Sequence, residues 1–576
     1  MEWKLNDLTK EGLKNIILRM AALLSEEQRQ SLQELIEEYK GQKSEEEKLP
    51  VQVRMSQTLV EEKMRQIEYW KQQIEEGELY LDTEEYEDYS DNYWDRDWIT
   101  EYYDNQGIGE KIMYAIRFAK DCVDDGWYQE ANSIYEWLWE LCVSTDSEYG
   151  DPVDLEILED NKIINTDMRQ LALLTLYADY QALEAEKRAE DIYLYFSNYA
   201  FRNLSIEEML YVGRDNLPDT ERFWKDWIAL LKTKSGDMEG RLLREAILYC
   251  EGIEGLVNMA DENAETHPSL YLAAMSEYDK DHAYAQIEEI GERALEKIDI
   301  KLKIRGETAL KAAYASSFLQ HEEKMMRFCW ECFRSDSTDK NFLRLFGMEK
   351  MALQYGMRGK EVLGLRTGNS EQSFGGNAEL RQNLIEDYEY YTLCFYTGDF
   401  ETVKSVSRNP KGSLGWSSSF IRYGIRLFLL YLYEKPLPSK AAASIANYVG
   451  FSESDNSGYA MHFENIIMEE SHKRKVSIFW NYFQRWKQYF DIEQTEKMKY
   501  LAWAEKIVYS RADAIVDKQC RNHYAEVAVL LAMVAEIKEN MGEQGFRNKV
   551  FAEYKRKFPR HSAFQSEMRN YFGIVH

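Results

Sequence analysis

A turn flanked by two helical stripes constrains this sequence more than any other feature. The turn is Asp125-Gly126-Trp127-Tyr128. The apolar stripe before it comprises Ile112, Ile116, Ala119 and Val123, and the stripe after it comprises Ala131, Ile134, Tyr135 and Leu138. Spacings of three and four residues predict two helices, and a glycine permits the tight turn between them.

The same turn pattern recurs along the chain. A second copy occupies residues 396–403, around Gly398, and weaker copies lie around Asp281, His321 and Gly359. Asp281, His321, Gly359 and Gly398 follow one another at intervals of 40, 38 and 39 residues. A period near 40 is typical of helical-repeat solenoids. The sequence therefore predicts an all-α fold, an α-solenoid of antiparallel helical hairpins with TPR-like repeats.

Composition supports helices and several structural units. The chain has 576 residues, too many for one compact core, and only 8 prolines, whereas about 5% is usual. We see no run of alternating strands. The predicted organisation is a helical hairpin at 1–40, a linker and acidic aromatic-rich segment at 41–106, the solenoid at 107–410, and a C-terminal helical region and cap at 411–576.

The acidic segment contains the first candidate binding residues. Between Glu75 and Asp104 lie thirteen acidic residues and one basic residue, interleaved with aromatic residues. One interpretation is an irregular segment whose aromatic rings pack on the first helices. The other is a docking strip, or a nucleic-acid mimic, for a basic partner. The candidate partner-binding residues are Tyr86, Tyr89, Trp94 and Trp98.

The C-terminal end contains the opposite charge. The whole chain has 71 basic and 102 acidic residues, a net charge of −31, which disfavours generic binding to nucleic acid or to an anionic membrane. Residues 501–576 nevertheless contain 12 basic and 9 acidic side chains. Lys555, Arg556, Lys557 and Arg560 are candidates for binding phosphates or an acidic protein segment. The alternatives are the polar face of a capping helix and a contact with the acidic segment of the same or a neighbouring chain.

No motif in the sequence indicates catalysis, a cofactor or a metal. Cys329 and Cys332 form the only Cys-x-x-Cys, without a second pair or a preceding strand, so we expect buried core thiols. The eight histidines have no metal-ligand spacing, and the glycine-rich stretches lack the Gly-Lys-Ser/Thr ending of a phosphate-binding loop. The chain is expected not to be an enzyme.

The N-terminal residues, the short apolar runs and the cysteines predict a cytoplasmic protein. Residues 1–7 lack the basic and apolar stretches of a secretory signal, and apolar runs are too short to span a bilayer. Seven cysteines, sparse and odd in number, are not typical of a disulfide framework.

Three stretches resemble a known family. They are Ile108–Leu141, His267–Leu345 and Tyr500–Phe572. The residues that carry the resemblance are Leu302-Lys303-Ile304-Arg305, Phe333-Arg334-Ser335-Asp336 before Asn341-Phe342-Leu343-Arg344-Leu345, and the residues from Phe558 to Phe564. They resemble the helical portion of bacterial SWIM zinc-finger family proteins, itself similar to tetratricopeptide arrays, and the resemblance implies a helical array. The chain has neither the Cys-x-Cys nor the Cys-x-His of a SWIM finger, so the family's zinc site does not carry over.

These patterns together predict a non-catalytic scaffold or adaptor that binds a partner protein along a helical-repeat surface. The alternative is a nucleic-acid-associated factor that uses the basic C-terminal residues. No membrane partner is expected.

Overall fold

The computed structural model describes residues 54–87, 98–147, 151–363, 378–408, 412–416, 419–451 and 473–573. The fold is all-α and solenoid-like, with one small sheet. The chain divides into two compact units between Ala182 and Leu183. The hairpin expected at residues 1–40 lies outside the described residues, and the domain limits at 106 and 410 stay predictions.

The first unit contains a small sheet and five helices within its described residues. The strands are β1 (Tyr80–Glu87), β2 (Trp98–Tyr103) and β3 (Ser144–Thr145). The helices are α1 (Gln57–Glu75), α2 (Ile108–Asp125), α3 (Tyr128–Trp139), α4 (Leu155–Asp160) and α5 (Met168–Ala182).

Helices α2 and α3 confirm the predicted hairpin. Every residue of the two predicted stripes is buried, with Ile116 the most exposed at 8%. Trp137 lies in this core as well. The helical period therefore identified the buried faces correctly, because a helix that packs on one side repeats its apolar residues every three or four positions.

The sheet corrects one of the two interpretations of the acidic segment, that of an irregular segment, because much of it forms strands. Its strand order is β2-β1-β3, with β1 antiparallel to β2 and parallel to β3. The two longer strands contain tyrosine, threonine, isoleucine and tryptophan, which favour strands, among their acidic residues. Since acidic residues occupy both faces of β1, the strand lacks the apolar alternation that usually reveals strands.

The second unit is mainly helical in its described residues. Its first helices are α6 (Arg188–Tyr195), α7 (Ile206–Met209), α8 (Thr220–Lys232), α9 (Asp237–Glu262), α10 (Ser269–Lys280), α11 (Tyr284–Lys297), α12 (Lys303–Phe318) and α13 (Glu322–Ser335). Each helix from α8 to α13 packs against the next, which is the packing of a solenoid.

Further helices follow along the described residues of this unit, with short ones first and longer ones near its end. They are α14 (Asp339–Arg344), α15 (Glu349–Gln354), α16 (Lys360–Leu363), α17 (Asp387–Tyr396), α18 (Phe400–Val406), α19 (Ile421–Leu432), α20 (Lys440–Val449), α21 (Ile478–Lys487), α22 (Gln494–Asp517), α23 (Tyr524–Asn540), α24 (Phe546–Lys557) and α25 (Ser562–Phe572).

One turn geometry joins successive helices in both units. A residue with positive φ follows the first helix, and the next amide bonds back to a carbonyl five residues earlier, as Trp127 N does to Cys122 O at 2.8 Å. The positive-φ residues of these turns include Gly126, His282, Gln320, Gly398 and Gln519. Three of them coincide with or adjoin the predicted turns at Asp281, His321 and Gly398. The sequence pattern thus identified real turns.

Gly359 is not a turn of this kind. Its φ is −51°, and it lies between a short 3₁₀ helix, Gly356–Arg358, and α16. A Cβ on Gly359 would lie 2.1 Å from Cε2 of Phe342, so this glycine permits close packing against a ring. The turns at Gln320 and Gly398 are 78 residues apart, twice 39, with these short helical pieces between them.

Aromatic rings form much of the core of the second unit. Phe395 and Trp486 lie with their ring centres 5.6 Å apart, and Phe400 and Tyr431 lie 4.9 Å apart. The indole N–H of Trp486 donates to the carbonyl of Tyr396 at 2.7 Å, which satisfies the buried polar atom.

None of the helices in the described ranges combines the length and the apolar character that a membrane span requires.

Candidate interaction surfaces

The paired part of β1 and β2 forms an acidic ribbon, defined here as residues 82–87 and 98–103. It contains Asp82, Glu84, Glu85, Glu87 and Glu101 and no basic residue. Alternation along the strands places Asp82, Glu84, Tyr86, Ile99, Glu101 and Tyr103 on one face. Glu84, Glu85, Tyr86, Glu101 and Tyr103 are exposed. The ribbon therefore presents carboxylates and phenol rings to solvent.

Like charges face each other across the ribbon. Glu84 and Glu101 are direct cross-strand partners, an arrangement that is destabilising for two carboxylates. Tyr103 Oη lies 2.7 Å from one oxygen of Glu101 and 3.3 Å from Glu84, and Tyr86 Oη donates to Glu101 at 2.9 Å. These phenols offset part of the repulsion.

The phenols also keep Glu101 ionised. Hydrogen bonds from Tyr103 and then Tyr86 hold the pKa of Glu101 below its usual value. The same bond to Glu101 raises the pKa of Tyr103 to about 12, so its proton stays on the ring oxygen at neutral pH. The ribbon remains anionic over the physiological pH range and can attract a basic partner.

The ribbon has an edge strand. Among the described strands, β2 ends the sheet, while β1 pairs with β3 only through Tyr80 and Leu81. Beyond this pairing, Asp146 accepts hydrogen bonds from both the amide and the hydroxyl of Thr83, at 2.9 and 2.8 Å. An edge strand offers backbone donors and acceptors to an added strand.

Two of the four aromatic residues predicted in this segment lie in the described strands. Tyr86 lies on the ribbon and is 44% exposed. Trp98 begins β2, while Tyr89 and Trp94 lie outside the described residues. The sequence prediction omitted Tyr103, Glu84 and Glu101, which complete the acidic face. The only signal for them was the two-residue alternation of Ile99, Glu101 and Tyr103 within an acidic background.

The predicted basic residues lie at one helix end. Lys555, Arg556 and Lys557 occupy the last turn of α24, where the helix dipole favours cations. Lys557 Nζ lies 2.6 Å from a carboxylate oxygen of Asp513 on α22. Lys555, Arg556 and Arg560 are exposed, and none pairs with a carboxylate in the described part of the chain.

Most of the aromatic residues near these cations belong to the core. Tyr554, Phe558 and Phe564 are at most 8% exposed. The Tyr554 ring stacks on Tyr509 with their centres 6.1 Å apart, and Phe564 packs edge-on against Tyr524. Single-stranded nucleic acid binds by stacking bases on exposed rings, which these three residues do not provide.

The Cys329 and Cys332 thiols are buried. Cys329 and Cys332 are each 2% exposed, which confirms that they are core thiols. Burial raises the pKa of Cys329 to about 11 and raises that of Cys332 as well, so both stay protonated. In the ranges that the structure describes, no three His, Cys, Asp or Glu side chains are grouped to hold a metal ion.

No protein-family model matches the chain, and no curated protein matches it. The resemblance to the helical portion of SWIM zinc-finger family proteins therefore stays a prediction.

Proposed function

We propose that this chain is a non-catalytic scaffold that binds a partner protein, with the acidic ribbon as a docking element for a basic, extended segment. The observation that supports it is the ribbon itself, in which opposed carboxylates are exposed beside an edge strand. A strand that adds lysine or arginine side chains would relieve the repulsion between Glu84 and Glu101 and pair with backbone groups. The helical hairpins of the second unit offer further surface for recognition.

The nucleic-acid alternative has less support. The exposed cations Lys555, Arg556 and Arg560 could contact phosphates. The helix dipole already accounts for Lys555 and Arg556 at the end of α24, and the nearby rings of Tyr554, Phe558 and Phe564 are buried. The protein-binding role is therefore the one we propose.

The test is capture of partners on tagged full-length protein from its native lysate after nuclease treatment. The ribbon variant Glu84→Gln/Glu101→Gln should lose the retained protein, because it removes the opposed charges. The matched control Glu62→Gln/Glu68→Gln removes two exposed charges from α1 and should retain it. The captured protein, once purified, should bind the wild-type chain at a fixed stoichiometry.

Two results would contradict the proposal. One is equal retention by the ribbon variant and the wild type. The other is recovery of nucleic acid alone, abolished by Lys555→Glu/Arg556→Glu and steeply weakened by salt, which would support the alternative instead.

A further inference from the structure

A cavity of about 690 Å³ lies within the first unit, between α1, α2 and the turn that precedes α5. Its volume is in the range of sites for small molecules. Trp70 lies on the α1 side, and Tyr114 packs edge-on against it with ring centres 5.4 Å apart. Met113 and Ile163 add apolar surface. One part of the cavity can therefore accommodate a flat apolar group.

Three cations line the same cavity in an otherwise acidic region. They are Lys111, Arg117 and Lys162, and the one acidic lining residue is Glu110. None of the three cations pairs with a carboxylate among the described residues. The lining side chains thus have a net charge of about +2, which matches the charge of −1.5 to −2 on a phosphate monoester at neutral pH.

Local contacts hold the Lys111 side chain and the backbone around the cavity in place. Lys111 Nζ donates to the carbonyl of Gln106 at 2.7 Å and to that of Gly107 at 3.1 Å, so one of its three hydrogens remains for a ligand. A Cβ on Gly109 would lie 2.3 Å from the carbonyl oxygen of Ile163, so α2 and the turn are in backbone contact. Lys162 adopts a positive φ of 59° in that turn.

The amino terminus of α2 is not the anion site. Asp104 accepts hydrogen bonds from the amides of Ile108 and Gly109 at 2.7 and 2.8 Å. A bound anion would therefore be held by side chains, with Arg117 and Lys162 exposed at the mouth of the cavity.

From the charge and the apolar wall together, we propose that this cavity binds a small organic phosphate, a phosphate monoester that carries a flat aromatic group. The phosphate would contact Lys111, Arg117 and Lys162, and the aromatic group would pack beside Trp70. This binding does not depend on the scaffold role proposed above, because none of the ribbon carboxylates lines the cavity.

The experiment is isothermal titration calorimetry of the full chain with three probes, adenosine monophosphate, adenosine and inorganic phosphate. We expect saturable binding of adenosine monophosphate, tighter than that of either other probe. Arg117→Gln/Lys162→Gln should weaken its binding by at least tenfold, since each charge-assisted hydrogen bond contributes about a factor of ten. Trp70→Ala should weaken binding of adenosine monophosphate and leave that of phosphate unchanged.

The matched control is Lys120→Gln, which removes an exposed charge from α2 outside the cavity lining and should leave binding unchanged. Circular dichroism and thermal unfolding establish that each variant is folded. The proposal is overturned if the wild type shows no saturable binding of adenosine monophosphate at millimolar concentration. It is also overturned if Lys120→Gln weakens binding as much as the cavity variant, or if Trp70→Ala has no effect on a folded protein.

Discussion

At the scale of single residues, Glu288 shows how the packed helices accommodate a buried charge. Its side chain on α11 is only 6% exposed. Ser316 Oγ donates to it at 2.7 Å, His321 Nδ1 lies 3.0 Å away, and Lys324 contributes an ion pair. These partners come from α12, from the following turn and from α13. One carboxylate therefore links two successive hairpins.

Removing the charge of Glu288 should destabilise the protein. Glu288→Gln weakens three hydrogen bonds to a buried carboxylate, and we expect a loss of about 2 kcal/mol in the free energy of unfolding. Urea denaturation measures it. The matched control is the adjacent Glu289→Gln, whose side chain is 67% exposed and should change stability by less than about 0.5 kcal/mol. Equal effects of the two changes would contradict this role.

The effect of Glu288→Gln should also depend on pH. Burial alone would raise the pKa of Glu288, but hydrogen bonds from Lys324, Ser316 and His321 outweigh it and lower the pKa below the ordinary 4.5. A carboxyl with a lowered pKa stabilises the fold above its ordinary pKa and loses that contribution as the pH falls through the folded value. The stability difference between wild type and variant should be full at pH 7 and shrink below about pH 4.5. A difference that is constant with pH would contradict the assignment.

At the scale of helices and turns, positive-φ residues determine how the hairpins close. Gly126 has a φ of 85°, and a Cβ placed there meets nothing within 4 Å. Glycine is therefore favoured at this position for its backbone conformation and not for lack of space. Gln320 adopts a φ of 59° in an equivalent turn despite its side chain. The turn therefore has the same geometry at a position where glutamine replaces glycine.

Gly126→Ala should destabilise the protein by about 1 kcal/mol, because a side chain in the left-handed region is strained. The matched control is Gln320→Ala, which leaves a side chain in the same conformation and should change the free energy of unfolding by less than about 0.5 kcal/mol. Thermal and urea unfolding compare the two. An equal loss in both variants would show that the conformation at Gly126 is not the cause.

At the scale of the whole molecule, the chain contains two compact units, divided at Ala182 and Leu183. Each has its own buried core, as shown by Tyr135 in the first and Trp486 in the second. Stacked helices interact mainly with their neighbours, which also weakens cooperativity over long distances. We therefore expect unfolding that is not two-state.

Differential scanning calorimetry tests this expectation. The calorimetric enthalpy should exceed the van't Hoff enthalpy, because independent units melt in separate steps. A ratio of one over a reversible transition would show a single cooperative unit and contradict the division.

The sequence by itself determined the all-α fold class, the buried faces of α2 and α3, and four of the turns between helices. The stripes around Ile112 and Leu138 and the turns at Gly126 and Gly398 were readable because helical burial and positive φ are local properties, visible within a few residues. The clustering of acidic and basic residues was visible for the same reason.

Only the tertiary structure determined the sheet, the acidic face and the cavity. Glu84 and Glu101 face each other because β1 and β2 pair, and the amide of Thr83 donates a hydrogen bond to Asp146, 63 residues away. Trp70, Arg117 and Lys162 come from three separate elements. Gly359 fits the turn spacing, yet its surroundings place it against Phe342. Such contacts depend on which distant segments pack together, and no local pattern specifies that.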